Sequence, residues 1–183
     1  MKFLMVINIL YLYYDLMNLY GESGNIKAIM QSLKDQEIDV NLDKLSLEDN
    51  IDFSKYDLIY IGCGTEKAQK IALDNIMQYK NQLEEYINND KFILATGNSF
   101  ELFGKKIGQT EALGILDFEA IPLEKRKVGD FIANSEYGKI LAFENRGSKL
   151  QNNRVPFLDS EIGVNFKNFY GTYLIRTING KKL

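Results

Sequence analysis

One thiol, no imidazole and a few carboxylates bound the chemistry open to this chain. Cys63 is the sole cysteine and stands in Gly62-Cys63-Gly64, directly after the apolar run Leu58-Ile59-Tyr60-Ile61. A thiol there can act as a nucleophile at the carboxyl end of a strand, or pack as a small half-buried hydrophobe in a tight turn. Ser99, just after Gly97 and Asn98, opens a short helix. It can cap that helix, or serve as a hydroxyl nucleophile if a lysine or carboxylate supplies the base. Glu101 and Glu144 can share acid–base work where their surroundings separate their pKa values, and Glu144 with Arg146 also reads as a surface ion pair. The 183 residues include no histidine, so any mechanism must run without the usual general base near neutral pH. Zinc is left with almost no ligands, and neither a metal nor a cofactor is expected.

The elements that must position these residues read as βαβ units around a largely parallel sheet. Strands are predicted over about Phe3 to Ile9, Ile38 to Leu42, Asp57 to Ile61 and Phe92 to Thr96. The stretch from Asn25 to Gln36 carries Ile26, Ile29, Met30 and Leu33 at helical spacing, with Asn25 as its cap. A longer helix from about Glu66 to Asn88 sets Ile71, Ile76, Met77, Leu83, Tyr86 and Ile87 near one face, as core packing requires. After a short helix from Ser99 to Phe103 the chain turns β-rich, with strands at Lys139 to Phe143 and Asn168 to Leu174. No linker interrupts it, so one domain is expected across residues 1–183.

Composition narrows the function further. A formal charge of -3, from 22 basic and 25 acidic residues, offers no concentrated positive surface for a phosphate backbone, so nucleic acid is not expected as a partner. The run Met1 to Ile7 gives way to Tyr11, Tyr13, Tyr14 and Asp15 without a cleavage site, so it reads as a buried first strand. No segment is long and apolar enough to span a bilayer, and the lone thiol fits a reducing compartment, the cytoplasm. The tyrosine cluster reads as core and rim packing, or as a partner-binding patch.

Five segments, in order along the chain, carry a family resemblance. Leu16 to Asn25 follows the pattern L-x-N-x-Y-G-D-x-G-N, and Gly62 to Gln69 follows G-G-G-Q-D-x-x-Q with Cys63 for the middle glycine. Ile93 to Gly104 aligns with V-L-A-x-C-G-G-x-Q-x-L-G, placing Gly97 at the cysteine, Asn98 and Ser99 at the glycines, and Glu101 at the glutamine. Phe143 to Gly147 matches F-E-N-H-G with Arg146 at the histidine, and Gly163 to Arg176 matches G-x-x-x-x-N-x-x-G-T-Y-L-H-G with Ile175 at the second histidine. Together these resemble class I glutamine amidotransferase domains of the cobyric acid synthase (CobB/CobQ) type, above all the glutaminase subunit of lipid II isoglutaminyl synthase.

The resemblance implies an α/β, three-layer, flavodoxin-like fold with a mostly parallel central sheet and a β-rich C-terminal half. It implies a site gathered from Gly62 to Gly64, Gly97 to Ser99 and the loop near Ile175, at the carboxyl ends of the parallel strands. Substrate-binding positions would be Gly62, Cys63, Gly64, Asn98, Ser99, Glu101 and Arg126, the last standing where the family has a substrate-binding arginine. Glutamine hydrolysis in the family uses a thiolate and an imidazole, with the oxyanion held by backbone N–H groups of the glycine-rich turn. Gly97 and Ile175 supply neither reacting group, so no catalytic pair is intact. The expectation is a catalytically inactive, partner-binding subunit of a Mur-ligase-like synthetase in cell-wall or cofactor amidation, or a homo-oligomer. The alternatives are a glutaminase or amidase using Cys63 or other pocket residues, and a sensor that binds glutamine or a small amide without cleaving it.

Overall fold

The computed structural model describes residues 6–135, 138–151, 159–162, 172–175, 177–178 and 181–182, with side chains for residues 6–132, 134 and 138–151. The chain forms two compact units, Met1–Phe100 with Thr172–Leu183, and Glu101–Gly171.

In the first unit, β1 (Val6–Leu12) lies between two neighbouring strands and is followed by α1 (Ser23–Asp35), β2 (Asp39–Leu45) and β3 (Leu58–Ile61). Then come α2 (Glu66–Ile76), α3 (Lys80–Asn88) and β4 (Phe92–Thr96). Strand β1 pairs in parallel with β2 and β3, and β3 with β4. Ile9, Leu10, Leu12, Ile59 and Ile61 are all fully buried although successive side chains point to opposite faces, which is why these strands are continuous apolar runs. Each such side chain contributes about 1.5–3 kcal/mol on leaving water. On one face, Ile29, Met30 and Leu33 of α1 pack against the cluster of Ile9, Tyr11, Ile26 and Tyr60.

The second unit is a mixed sheet. β5 (Lys106–Ile107) and β6 (Thr110–Glu111) form a tight hairpin, and β5 runs parallel to the start of β7 (Glu119–Ser135). β7 pairs antiparallel with β8 (Gly138–Gln151), with an irregularity between Pro122 and Lys127, and also with β9 (Asp159–Ile162). Phe131 is buried against Ile140 and Ala142 on one face of the hairpin. The register places Val128, Phe143 and Leu141 on the other face, where they are 58%, 61% and 77% exposed. Returning to the first unit, β10 (Thr172–Ile175) closes that sheet antiparallel to β4, giving the order β10-β4-β3-β1-β2. β11 (Thr177–Ile178) and β12 (Lys181–Lys182) make a short antiparallel pair.

The mostly parallel sheet and the β-rich second half agree with the expected α/β fold, and β4 matches its predicted range residue for residue. Other expectations need correction. β1 extends to Leu12, past the predicted end at Ile9, because Leu10, Tyr11 and Leu12 are as buried as Ile9. Helix α1 starts at Ser23, whose N–H donates to Asn18 Oδ1 at 3.0 Å. Asn25 therefore lies inside the helix and does not cap it. The long helix is two helices, separated by a 3-10 turn at Met77–Tyr79 that lets Tyr79 pack edge-on against Phe53, ring centroids 5.5 Å apart. Ile71 and Met77 stand 37% exposed, off the buried face. The segment from Ser99 to Phe103 belongs to a 3-10 helix, Gly97–Phe103. Of the strand predicted at Asn168 to Leu174, residues 168–171 lie outside the described residues. Tyr11 and Tyr13 are buried, while Tyr14 sits at the rim, 37% exposed.

Candidate functional site

Two turns meet at the carboxyl ends of β3 and β4. The first, Gly62-Cys63-Gly64, leads into α2, whose cap is Thr65 accepting from the Ala68 N–H at 3.1 Å. The second starts at Gly97, which has φ +57°, a left-handed conformation that glycine adopts without penalty. A nucleophile elbow aims its residue outward through such a sharp strand-to-helix turn.

Asn98 and Ser99 stitch the two turns together. The Gly64 N–H donates to Asn98 Oδ1 at 3.0 Å and Asn98 Nδ2 donates back to the Gly64 carbonyl at 2.9 Å. Buried Gln69 on α2 donates to the Asn98 carbonyl at 2.7 Å. The Ser99 hydroxyl, fully buried, lies 2.9 Å from the Ile61 carbonyl and 2.8 Å from the Thr96 carbonyl. It bridges strand ends and is turned away from solvent.

Cys63 is half-buried, and its Sγ lies 3.8 Å from the Gly64 carbonyl. Its side chain reaches toward Gly97: a Cβ placed on residue 97 would stand 2.8 Å from Cys63 Sγ and 2.9 Å from Cys63 Cβ. The flanking glycines are confined in another way. A Cβ at Gly62 would overlap the Met17 carbonyl and lie 2.8 Å from Glu22 Cβ, and one at Gly64 would overlap Met17 Sδ.

Those neighbours belong to the segment Leu16 to Asn25, which wraps the first turn. The Leu19 N–H donates to the Cys63 carbonyl at 2.9 Å. Glu22 reaches the sheet, its Oε2 accepting from the Tyr60 hydroxyl, from Thr96 Oγ1 at 2.6 Å and from Asn25 Nδ2 at 3.0 Å. Asn25 Nδ2 also lies 2.8 Å from the Tyr60 hydroxyl. Burial and the Glu22 carboxylate raise the Tyr60 pKa, so the phenol stays protonated and donates. Met17, Glu22, Gln69 and Thr96 were not singled out from sequence as site residues. The signal for the first two was the density of the Leu16 to Asn25 motif, whose side chains have this turn to hold.

Glu101, Arg126, Glu144 and Arg146 belong to the second unit. Glu101 is buried and accepts from the Ser148 hydroxyl. Arg126 is exposed, its Nη1 donating to Asn145 Oδ1 at 3.1 Å. Glu144 and Arg146 pair at 3.0 Å with both side chains only 8% exposed, which corrects the reading of a surface ion pair: residues 144 and 146 share the inward face of β8. Burial pushes the Glu144 carboxyl up, against the pull of Arg146 and Lys127. Ile175 pairs with Ile93 at the amino end of β4, while Thr172 pairs with Thr96. The structure thus brings residues 62–64 and 97–99 together and sets the aligned base position at the other end of the strand. Among the described residues, no three His, Cys, Asp or Glu side chains gather to hold a metal ion, and no helix is long and apolar enough to cross a membrane.

Comparison with known proteins bears on the family. The chain is 32% identical over 177 residues to the lipid II isoglutaminyl synthase (glutamine-hydrolyzing) subunit GatD of Staphylococcus aureus (strain N315), covering 87% of this chain and 73% of that protein. It is 29% identical over 188 residues to the subunit of the same name from Streptococcus pneumoniae (strain ATCC BAA-255 / R6), covering 91% and 72%. Residues 8–178 match the CobB/CobQ-like glutamine amidotransferase domain, and it is to this family that the chain belongs.

Proposed function

We propose that this chain is a catalytically silent amidotransferase-type subunit that works through a partner protein, a Mur-ligase-like synthetase, in the amidation of a lipid-linked cell-wall precursor. The observation that carries this reading is Gly97: it keeps the left-handed turn of an elbow but presents no side chain. Thiolate attack on an amide needs a sulfur there and a base to move protons, and the sequence has no histidine. Nucleophile and base act as a unit, so losing either removes most of the rate. The Gly64 N–H, a donor that could hold an oxyanion, is already engaged by Asn98. The partner reading draws on the family relatives, both named as subunits of a synthase, and on the exposed Val128, Leu141 and Phe143, which share one face of β7 and β8 with Asp130 and Lys139, since exposed apolar side chains grouped within a polar surround mark protein contacts.

Ammonia release from glutamine, measured on the purified chain and on Cys63→Ala, tests the silence: both should stay at background. Pull-down from the source lysate with mass identification tests the partner. A chain that captures no ligase and runs as a strict monomer would sink that half.

One observation favours a second reading, a glutaminase using Cys63: its sulfur lies where the side chain of residue 97 would begin. Turnover that vanishes in Cys63→Ala would select it.

A further inference from the structure

We propose that residues 63 and 97 share one side-chain volume, so that the Cys63 side chain and any side chain at the aligned nucleophile position exclude each other. Cys63 thereby keeps the elbow closed to a new nucleophile.

The distances carry the claim. Non-bonded carbons rest at about 3.5–4.0 Å, whereas a Cβ on residue 97 would meet Cys63 Cβ at 2.9 Å as well as Sγ at 2.8 Å. Rotating the thiol about χ1 moves Sγ away but leaves Cβ in place, so the overlap persists in every rotamer. Backbone retreat is resisted on both sides. The Cys63 carbonyl is held by the Leu19 N–H, the next residue is held by the paired bonds between Gly64 and Asn98, and Asn98 is held in turn by Gln69. Within the turn, Gly62 is closed to a Cβ by the Met17 carbonyl and Glu22, Gly64 faces the thioether end of Met17, and residue 63 carries a side chain that points at residue 97.

This exclusion does not depend on whether the chain turns over glutamine, and its test reads stability alone. Thermal unfolding is compared for the wild type, Gly97→Ala, Cys63→Gly and the double variant. Gly97→Ala should lower the midpoint by roughly 5 °C or more, from overlap plus the cost of φ > 0 for alanine. Cys63→Gly in that background should recover roughly half of the loss or more, because only the backbone cost remains. Losses that simply add, as for residues that do not touch, would overturn the proposal. If Gly97→Ala does not fold, the same comparison is read as soluble folded protein by circular dichroism. Rescue by Cys63→Gly then supports shared volume, and failure to rescue overturns it.

Discussion

Asn98 and Gly64 hold each other through two hydrogen bonds, backbone N–H to side-chain oxygen at 3.0 Å and side-chain nitrogen to backbone carbonyl at 2.9 Å. An asparagine amide completes this ring with one donor and one acceptor, which neither alanine nor aspartate supplies. Asn98→Ala should cost about 1–3 kcal/mol, since it strands a buried donor and acceptor. Asn98→Asp should be at least as costly, because a carboxylate oxygen would face the Gly64 carbonyl. Chemical denaturation of both variants measures this, and equal stability with the wild type would contradict the clamp.

Two tyrosines facing one another across β1 and β3 should respond oppositely to loss of their hydroxyls. Tyr11 is 2% exposed and its hydroxyl has no hydrogen-bond partner among the described residues; burial, then the Glu22 charge, pushes its pKa up to about 12. Tyr60 donates to Glu22 and neighbours Thr96 and Asn25. Tyr11→Phe should therefore be neutral or stabilising by about 1 kcal/mol, and Tyr60→Phe destabilising by about 1–3 kcal/mol. Urea midpoints decide between these signs.

Two carboxylates set opposite pH trends. Burial works to raise the Asp57 pKa but is outweighed by Lys91 Nζ at 2.6 Å and by the Asn8 N–H at 2.9 Å, so the value falls. A folded-state pKa below the unfolded one gives stability that is present above about pH 4 and lost as pH falls through the folded value. With both partners 35% exposed, that share is below about 1 kcal/mol. Glu144 is raised, so its charge costs stability as pH rises from the unfolded through the folded pKa. The gap between wild type and Asp57→Asn should close on acidification, whereas Glu144→Gln should gain on wild type as pH rises. Stability measured between pH 3 and pH 7 checks both signs.

The outward face of the hairpin offers a test of the partner reading. Leu141→Ser with Phe143→Ser removes two side chains that are 77% and 61% exposed, so unfolding should change by no more than about 0.5 kcal/mol. Capture of the synthetase partner should fall. Undiminished capture would move the contact elsewhere.

Much of the first unit was legible in its residues because the buried stretch of a parallel strand must be apolar, as Ile93 to Ala95 is, and an amphipathic helix must repeat every three to four. The break at Met77–Tyr79 was not, since no proline or glycine marks it; Tyr79 turns there toward Phe53, a partner over twenty residues earlier in the chain. The burial of Glu144 and Arg146 was hidden for a related reason: charged residues on a strand read as exposed unless the facing side of the sheet is known. Motif alignment located Gly97 and Cys63 separately, but their approach depends on how two strand ends sit side by side.

That approach also ties the two positions together for anyone exchanging residues there. Glycine at 63 with cysteine at 97, the pattern the family resemblance implies, differs from the present pair by two replacements, and on the shared-volume reading cysteine at both positions would collide. The route through glycine at both leaves only a small hole. Installing a thiol at 97 would therefore call for glycine at 63 as well, and neither exchange alone produces that pair.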